Sequence, residues 1–194
     1  IRYLQKIKLA KKYNKHYYDT DKPIISDQEF DLLKKEIIDL ENRYSFLKSK
    51  NSPSAIALSR QKLPYINPSY SKENKCKLGA YEVKITSHES KIILVASGSE
   101  VSLALEVQNQ LKDNGIDSKV VSMPCLELFD LQPKEYKEKI LERESMIITI
   151  EAGSVNSWNK YIGDNGISLG IDSFGESAPY KEVYDYFGLS SDKI

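Results

Sequence analysis

Ser97-Gly98-Ser99 joins a continuous apolar run, Ile92-Ile93-Leu94-Val95-Ala96, to a helical pattern. Such a turn offers the unpaired N–H groups of a helix start, which attract phosphate and other anions. Glu100 opposes that use, because a carboxylate in the first turn competes for the same positive end. Ser99 is expected to serve as the helix N-cap instead. A second helix start lies at Ser26, with Glu29 three residues on. That spacing predicts a capping box, each residue satisfying the other's backbone N–H. Asp27 and Glu29 also suit the positive end of a helix dipole. Metal chemistry has little to work with. Cys76 and Cys125 stand far apart and the chain holds two histidines, so no familiar zinc spacing can be assembled.

These residues need elements to hold them. A helix is expected over residues 1–14, then a turn at Asp19-Thr20-Asp21-Lys22-Pro23. Behind Ser26, the residues Phe30, Leu33, Ile37, Leu40 and Tyr44 recur at helical spacing, so a second helix runs to about Tyr44. Two helices with one apolar stripe each are marginal alone, so the stripe is expected to dock on the α/β part of the chain that follows or on a second copy. From 51 to 79 the character changes. Pro53, Pro64 and Pro68 break the chain, and Ser, Asn and Lys fill it. Only residues 55–58 look strand-like there, and the segment 55–59, bracketed by prolines, is expected to be loop.

From residue 80 a strand–helix rhythm appears. Strands are expected at 81–85, 92–96, 119–123, 146–150 and 167–171, the last four central. Helices are expected from 101 to 111, in broken form from 126 to 141, and at 158–162 and 181–187. Alternation of this kind implies a mostly parallel sheet covered on both faces. Leu94, Val121 and Ile148 are therefore expected to be almost wholly buried. The expected fold class is α/β, a three-layer α/β/α domain at 80–194. A helical hairpin at 1–52 and a linker at 53–79 precede it.

Composition excludes several roles. Lys plus Arg and Asp plus Glu are 28 each, so the formal net charge is zero. Strong nonspecific nucleic-acid binding needs a basic surface and is not expected. Arg2, Lys6, Lys8, Lys11, Lys12 and Lys15 do form a basic stretch without an acid, read as a solvated helix face. No run of about 18 apolar residues suggests a membrane span. No signal peptide is recognisable. With no disulfide framework to read, a reducing cytoplasm is the expected location. The chain opens on Ile1, which reads as a trimmed chain or a reading frame cut at its start.

Two family resemblances meet at Ser52-Pro53-Ser54. Residues 1–54 carry Tyr17-Tyr18, Asp21-Lys22-Pro23, Ile25-Ser26-Asp27-Gln28-Glu29-Phe30-Asp31 and Leu40-Glu41-Asn42-Arg43-Tyr44. This pattern resembles the N-terminal cap of NAD-dependent DNA ligases, which closes over the nicotinamide mononucleotide half of NAD. The resemblance implies cofactor-binding roles for Tyr17, Tyr18, Asp27 and Asp31. An aromatic face suits a flat cationic ring, and carboxylates accept from ribose hydroxyls. The residues themselves leave plain packing and helix-dipole roles open. Phe30 stands where the family has Tyr. The ligase's nucleophilic Lys-x-Asp-Gly is absent, and Lys112-Asp113-Asn114-Gly115 only imitates it.

Residues 53–194 resemble the last part of transketolases. Residues 53–64, Gly79-Ala80-Tyr81, Ala96-Ser97-Gly98-Ser99-Glu100-Val101 and Val120-Val121-Ser122-Met123-Pro124 carry the likeness. So do Leu128-Phe129-Asp130-Leu131-Gln132, Glu151-Ala152-Gly153, Trp158-Asn159-Lys160-Tyr161-Ile162-Gly163 and Phe174-Gly175-Glu176-Ser177-Ala178-Pro179. The family's cofactor is thiamine diphosphate, held with a metal by Gly-Asp-Gly and a later Asn. Gly163-Asp164-Asn165 is not that motif. The resemblance leaves Arg60 as a vestigial substrate-phosphate residue, a task suited to a guanidinium, and read here as a solvated charge. No catalytic or metal-ligating residue is assigned, and no bound cofactor is expected: the thiamine diphosphate site is absent and the NAD site is half present. The expected whole is a chimera. A ligase-like leader precedes a transketolase C-terminal-like module for interaction, with a homodimer possible through the α/β domain. The alternative is a weak binder of nicotinamide mononucleotide or NAD.

Overall fold

The computed structural model describes all residues except 1, 21–23, 44–52, 54, 60, 62, 65, 67–73, 88 and 89, and leaves aside the side chains of 2–4, 7, 17–20 and 38–43. The chain divides into two compact units, Ile1–Ile56 and Ala57–Ile194.

The first unit is a pair of helices, α1 (Arg2–Thr20) and α2 (Asp27–Arg43), packed on one another. Helix α1 runs six residues past its expected end. No glycine or proline stands between Ile1 and Pro23, so nothing breaks the helix before then. Helix α2 starts as its capping box dictates. The Glu29 N–H donates to Ser26 Oγ at 3.2 Å, and the Ser26 N–H donates to Glu29 Oε2 at 2.9 Å. Leu33 and Ile37 of the expected stripe are buried and Phe30 is half-buried, with the Lys34 ammonium 4.5 Å from the centre of its ring. The Leu40 side chain and Tyr44 lie outside the described residues. Lys6 on α1 pairs with Glu36 on α2.

The second unit is built on a five-stranded sheet in the order β1-β3-β2-β4-β5. The strands are β1 (Tyr81–Ile85), β2 (Ile92–Ala96), β3 (Ser118–Ser122), β4 (Met146–Ile150) and β5 (Ile167–Leu169). β2, β3, β4 and β5 run parallel, and β1 closes one edge antiparallel to β3. Helices α3 (Glu100–Asp113), α4 (Leu126–Asp130), α5 (Lys134–Ile140), α6 (Asn159–Ile162) and α7 (Tyr180–Tyr186) complete it. The sheet has a core on each face. Ile93, Val95, Val121 and Ile147 meet Phe129, Ile140 and Trp158 from α4, α5 and the start of α6. Leu94, Ala96, Val120 and Ile150 meet Val101, Ala104 and Val107 of α3, and Leu189 beyond α7. Successive residues of a strand point to opposite faces, so an unbroken apolar strand requires both cores. The fold is the expected three-layer α/β/α.

Two expectations need correction. Leu94 and Val121 are fully buried, but Ile148 is only half-buried. Its neighbour across the ladder is Ile167 of β5, itself 44% exposed, so cover thins at that edge. β5 is also shorter than expected and lies at the edge, not in the centre. At Gly170 the crossing chain comes so near that a Cβ would lie 2.5 Å from Val155 Cγ1 and 2.6 Å from the Gly153 carbonyl oxygen, and the ladder ends there. Residues 55–59 form no strand and are exposed, with Leu58 79% exposed, as the bracketing prolines predict.

Candidate functional site

In an open α/β sheet, ligands collect at the carboxyl ends of the strands, where the strand order reverses. Here that place lies between β2 and β4, with β3 on the far side of β2. The parallel register pairs Ala96 with Ile150, which sets Ser97 beside Glu151 just beyond the ladder. Ser97 Oγ donates to Glu151 Oε2 at 2.9 Å. The next turn brings a second carboxylate. Glu100 is 4% exposed, and its Oε1 accepts from Ser99 Oγ at 2.7 Å and from the Tyr184 hydroxyl of α7.

Burial pushes the Glu151 carboxyl above its usual range, and the neighbouring Glu100 adds to that. Burial likewise pushes the Tyr184 phenol up to about 12, helped by its bond to Glu100. Two carboxylates at one helix start make this the wrong end for an anion. Ser99 is not the expected side-chain cap. Its backbone is already helical, at φ −67° and ψ −32°, and no N–H reaches its hydroxyl, which serves Glu100. The carbonyl of Ser97 accepts from the Glu100 N–H and that of Ser99 from the Ser102 N–H, so the turn closes on itself. Further along the same edge, Asp172 Oδ1 accepts from Ser154 Oγ and the Val155 N–H, both at 3.3 Å. The arrangement ties α3, α7 and two strand-end loops together through polar side chains.

The residues singled out from sequence are dispersed. Asp27 and Asp31 lie one turn apart on α2, and both are exposed. Tyr17 and Tyr18 fall in the last turn of α1, and their side chains lie outside the described residues, as does Arg60 altogether. Asp164 is exposed in the turn after α6, where Gly163 has φ +64°. Among the described residues, no three His, Cys, Asp or Glu side chains gather as a metal site. Sequence reasoning missed Glu151 and Tyr184 as partners of the Ser97-Gly98-Ser99 turn. Two five-residue runs rich in apolar residues, each followed by a polar residue, were the available signal for Glu151. Tyr184 had none.

Beyond the strand ends, residues 172–180 run exposed, and Phe174 is 97% exposed. On the opposite side of the unit, Lys119 is 2% exposed within β3. Its Nζ pairs with Glu142 Oε1 at 2.6 Å and donates to the Lys139 carbonyl at 3.2 Å.

Comparison with known proteins supplies the context. Residues 79–190 match the family described as "Transketolase-like TK C-terminal domain". Residues 2–56 match the one described as "DNA ligase-like, N-terminal NAD+-binding domain". A transketolase of Aquifex aeolicus is 38% identical over 150 residues, covering 76% of this chain and 22% of the relative. One of Buchnera aphidicola subsp. Baizongia pistaciae is 43% identical over 149 residues, covering 76% and 22%. The crystal structure of Campylobacter jejuni transketolase superposes with a TM-score of 0.67 at 42% identity, covering 79% of this chain and 23% of that one. The chain thus spans about a fifth of the length of the relatives it matches.

Proposed function

The chain belongs to the transketolase C-terminal domain family, and from that premise we propose that its α/β unit is an interaction module that performs no chemistry of its own. The observation that carries this reading is the exposed run 172–180 with Phe174 near its start. A side chain of that size stabilises a complex by roughly 1.5–3 kcal/mol when it is buried. The carboxylates at the strand ends support the same reading, because hydroxyls within the unit already engage them. Thiamine diphosphate does not fit there. Its diphosphate would meet Glu100 and Glu151, and two like charges repel it. The DNA-ligase-like leader, its union with this domain as a chimera, and a cytoplasmic location belong to the same proposal.

The partner favoured here is a second copy of the chain. Sedimentation velocity across a range of concentrations tests this. Self-association is expected, weakened about tenfold or more by Phe174→Ser, since each 1.4 kcal/mol is tenfold in affinity. A chain that stays monomeric throughout, with Phe174→Ser indistinguishable from it, refutes the reading.

A second reading gives the hairpin weak affinity for nicotinamide mononucleotide or NAD. The exposure of Asp27 and Asp31 one turn apart on α2 favours it. A calorimetric titration with nicotinamide mononucleotide is expected to show binding that Asp27→Asn and Asp31→Asn each weaken. No heat at millimolar ligand would end this reading.

A further inference from the structure

Cys76 and Cys125 are the two cysteines of the chain, and 48 residues separate them in sequence. The fold brings them to one junction. Cys76 lies in a 3-10 turn, Lys75–Leu78, that leads into β1. Cys125 stands at the head of α4, just after β3. β1 and β3 are antiparallel partners, with Tyr81 opposite Ser122. The pairing continues past the strand ends. The Cys125 N–H donates to the Gly79 carbonyl at 3.1 Å, and the Gly79 N–H donates to the Cys76 carbonyl at 3.1 Å. One residue therefore links the two cysteine backbones.

The packing at that residue is tight. Gly79 has φ +83°, and a Cβ there would lie 2.5 Å from the Cys125 carbonyl oxygen and 2.1 Å from the Phe129 nitrogen. Each cysteine side chain also has a polar neighbour. Cys76 sits close enough to Tyr81 to help hold its phenol above the usual range, though burial contributes most. Cys125 Sγ lies 3.5 Å from Glu127 Oε2. Both cysteines are half-buried, so a small oxidant can reach them.

We propose that Cys76 and Cys125 are a reversible thiol pair that closes to an intramolecular disulfide in the presence of a small-molecule disulfide oxidant. One cysteine thiolate attacks a sulfur of the oxidant, forming a mixed disulfide and releasing one oxidant thiolate. The other cysteine thiolate then attacks the protein sulfur of the mixed disulfide and displaces the second oxidant thiolate. Two protein thiols are oxidised and one oxidant disulfide is reduced to two thiols, which take up the two protons. Transient disulfides of this kind suit a reducing compartment. The bond would staple the chain entering β1 to the head of α4. It would close a loop of about 50 residues, which constrains the unfolded chain.

The test uses the full chain with oxidised glutathione as the probe. After alkylation, peptide mapping by mass spectrometry under non-reducing conditions is expected to show one cross-linked peptide joining Cys76 to Cys125. Dithiothreitol should remove it. Oxidation should raise the melting temperature by about 5–10 °C. Cys76→Ser and Cys125→Ser should each abolish that shift. Should either variant fail to fold, the map of the unaltered chain decides. Glutathione adducts on both cysteines without a cross-link, disulfide-linked dimers alone, or no reaction would each overturn the proposal.

Discussion

Glu151 carries a testable pH signature. Its carboxyl is raised in the folded state, chiefly by burial, so the folded protein holds that proton more tightly than the unfolded chain does. The stability this contributes is complete below the ordinary glutamate range. It is lost as pH rises through the folded value. Glu151→Gln keeps an acceptor for Ser97 Oγ and removes the titration. Urea midpoints at pH 4 and pH 7 should show the unaltered chain losing more stability over that interval than the variant. Equal losses would mean that burial does not perturb Glu151. Lys119 supplies a second case, because its ion pair is lopsided. The lysine side chain is 3% exposed and Glu142 is 47% exposed. Removing the lysine leaves a carboxylate that water can reach, whereas removing the carboxylate strands a buried cation. Glu142→Gln is therefore expected to cost about 3 kcal/mol and Lys119→Met close to nothing. Chemical denaturation of the two variants checks the asymmetry, and equal costs would contradict it.

Among the elements, α2 owes its first turn to two side chains. Ser26 Oγ accepts from the Glu29 N–H, and Glu29 Oε2 accepts from both the N–H and the hydroxyl of Ser26. Those bonds hold the Glu29 carboxyl below its usual range, the backbone bond most of all. Ser26→Ala removes the cap and should cost about 1 kcal/mol locally. Amide hydrogen exchange over the first turn of α2 should quicken about fivefold, with β2 and β4 unchanged. The strands show a different logic. β2 and β3 lie within the sheet and keep five residues each. β5 pairs on one side only and stops after three, because Gly170 is pressed against the loop 151–155. Local pattern placed the start of each of these strands to within one residue, β3 running Ser118–Ser122 against an expected 119–123, and a long-range contact set where β5 ends.

At the scale of the molecule, the two faces of the sheet are filled by different helices, and the strand ends are closed by hydroxyl–carboxylate pairs. The full chain, supplied with thiamine diphosphate and Mg²⁺, is expected to give no ketol transfer from a sugar phosphate. Supplied with NAD, it is expected to take up no adenylate. A coupled assay for the first and mass spectrometry for the second are decisive, and a positive result in either would overturn the non-catalytic reading.

The sequence by itself determined the layered architecture. The run 92–96 is apolar at every position and 146–150 at all but Thr149, and only a sheet covered on both sides can shield both faces of such strands. It determined the capping box too, because Ser26 and Glu29 are three residues apart and need nothing else to meet. What it could not determine was any pairing across the fold. Tyr184 reaches Glu100 over 84 positions, Lys119 finds Glu142 from the middle of a buried strand, and Cys76 comes to Cys125 through Gly79. In the hairpin, Asp27 and Asp31 are placed on α2, while the side chains of Tyr17 and Tyr18 lie outside the described residues, as does Arg60 of the linker. Periodicity encodes which face of an element is buried, a local property that a few neighbouring residues fix. Which distant side chain meets that face depends on strand order and register, and these emerge only when the whole sheet closes.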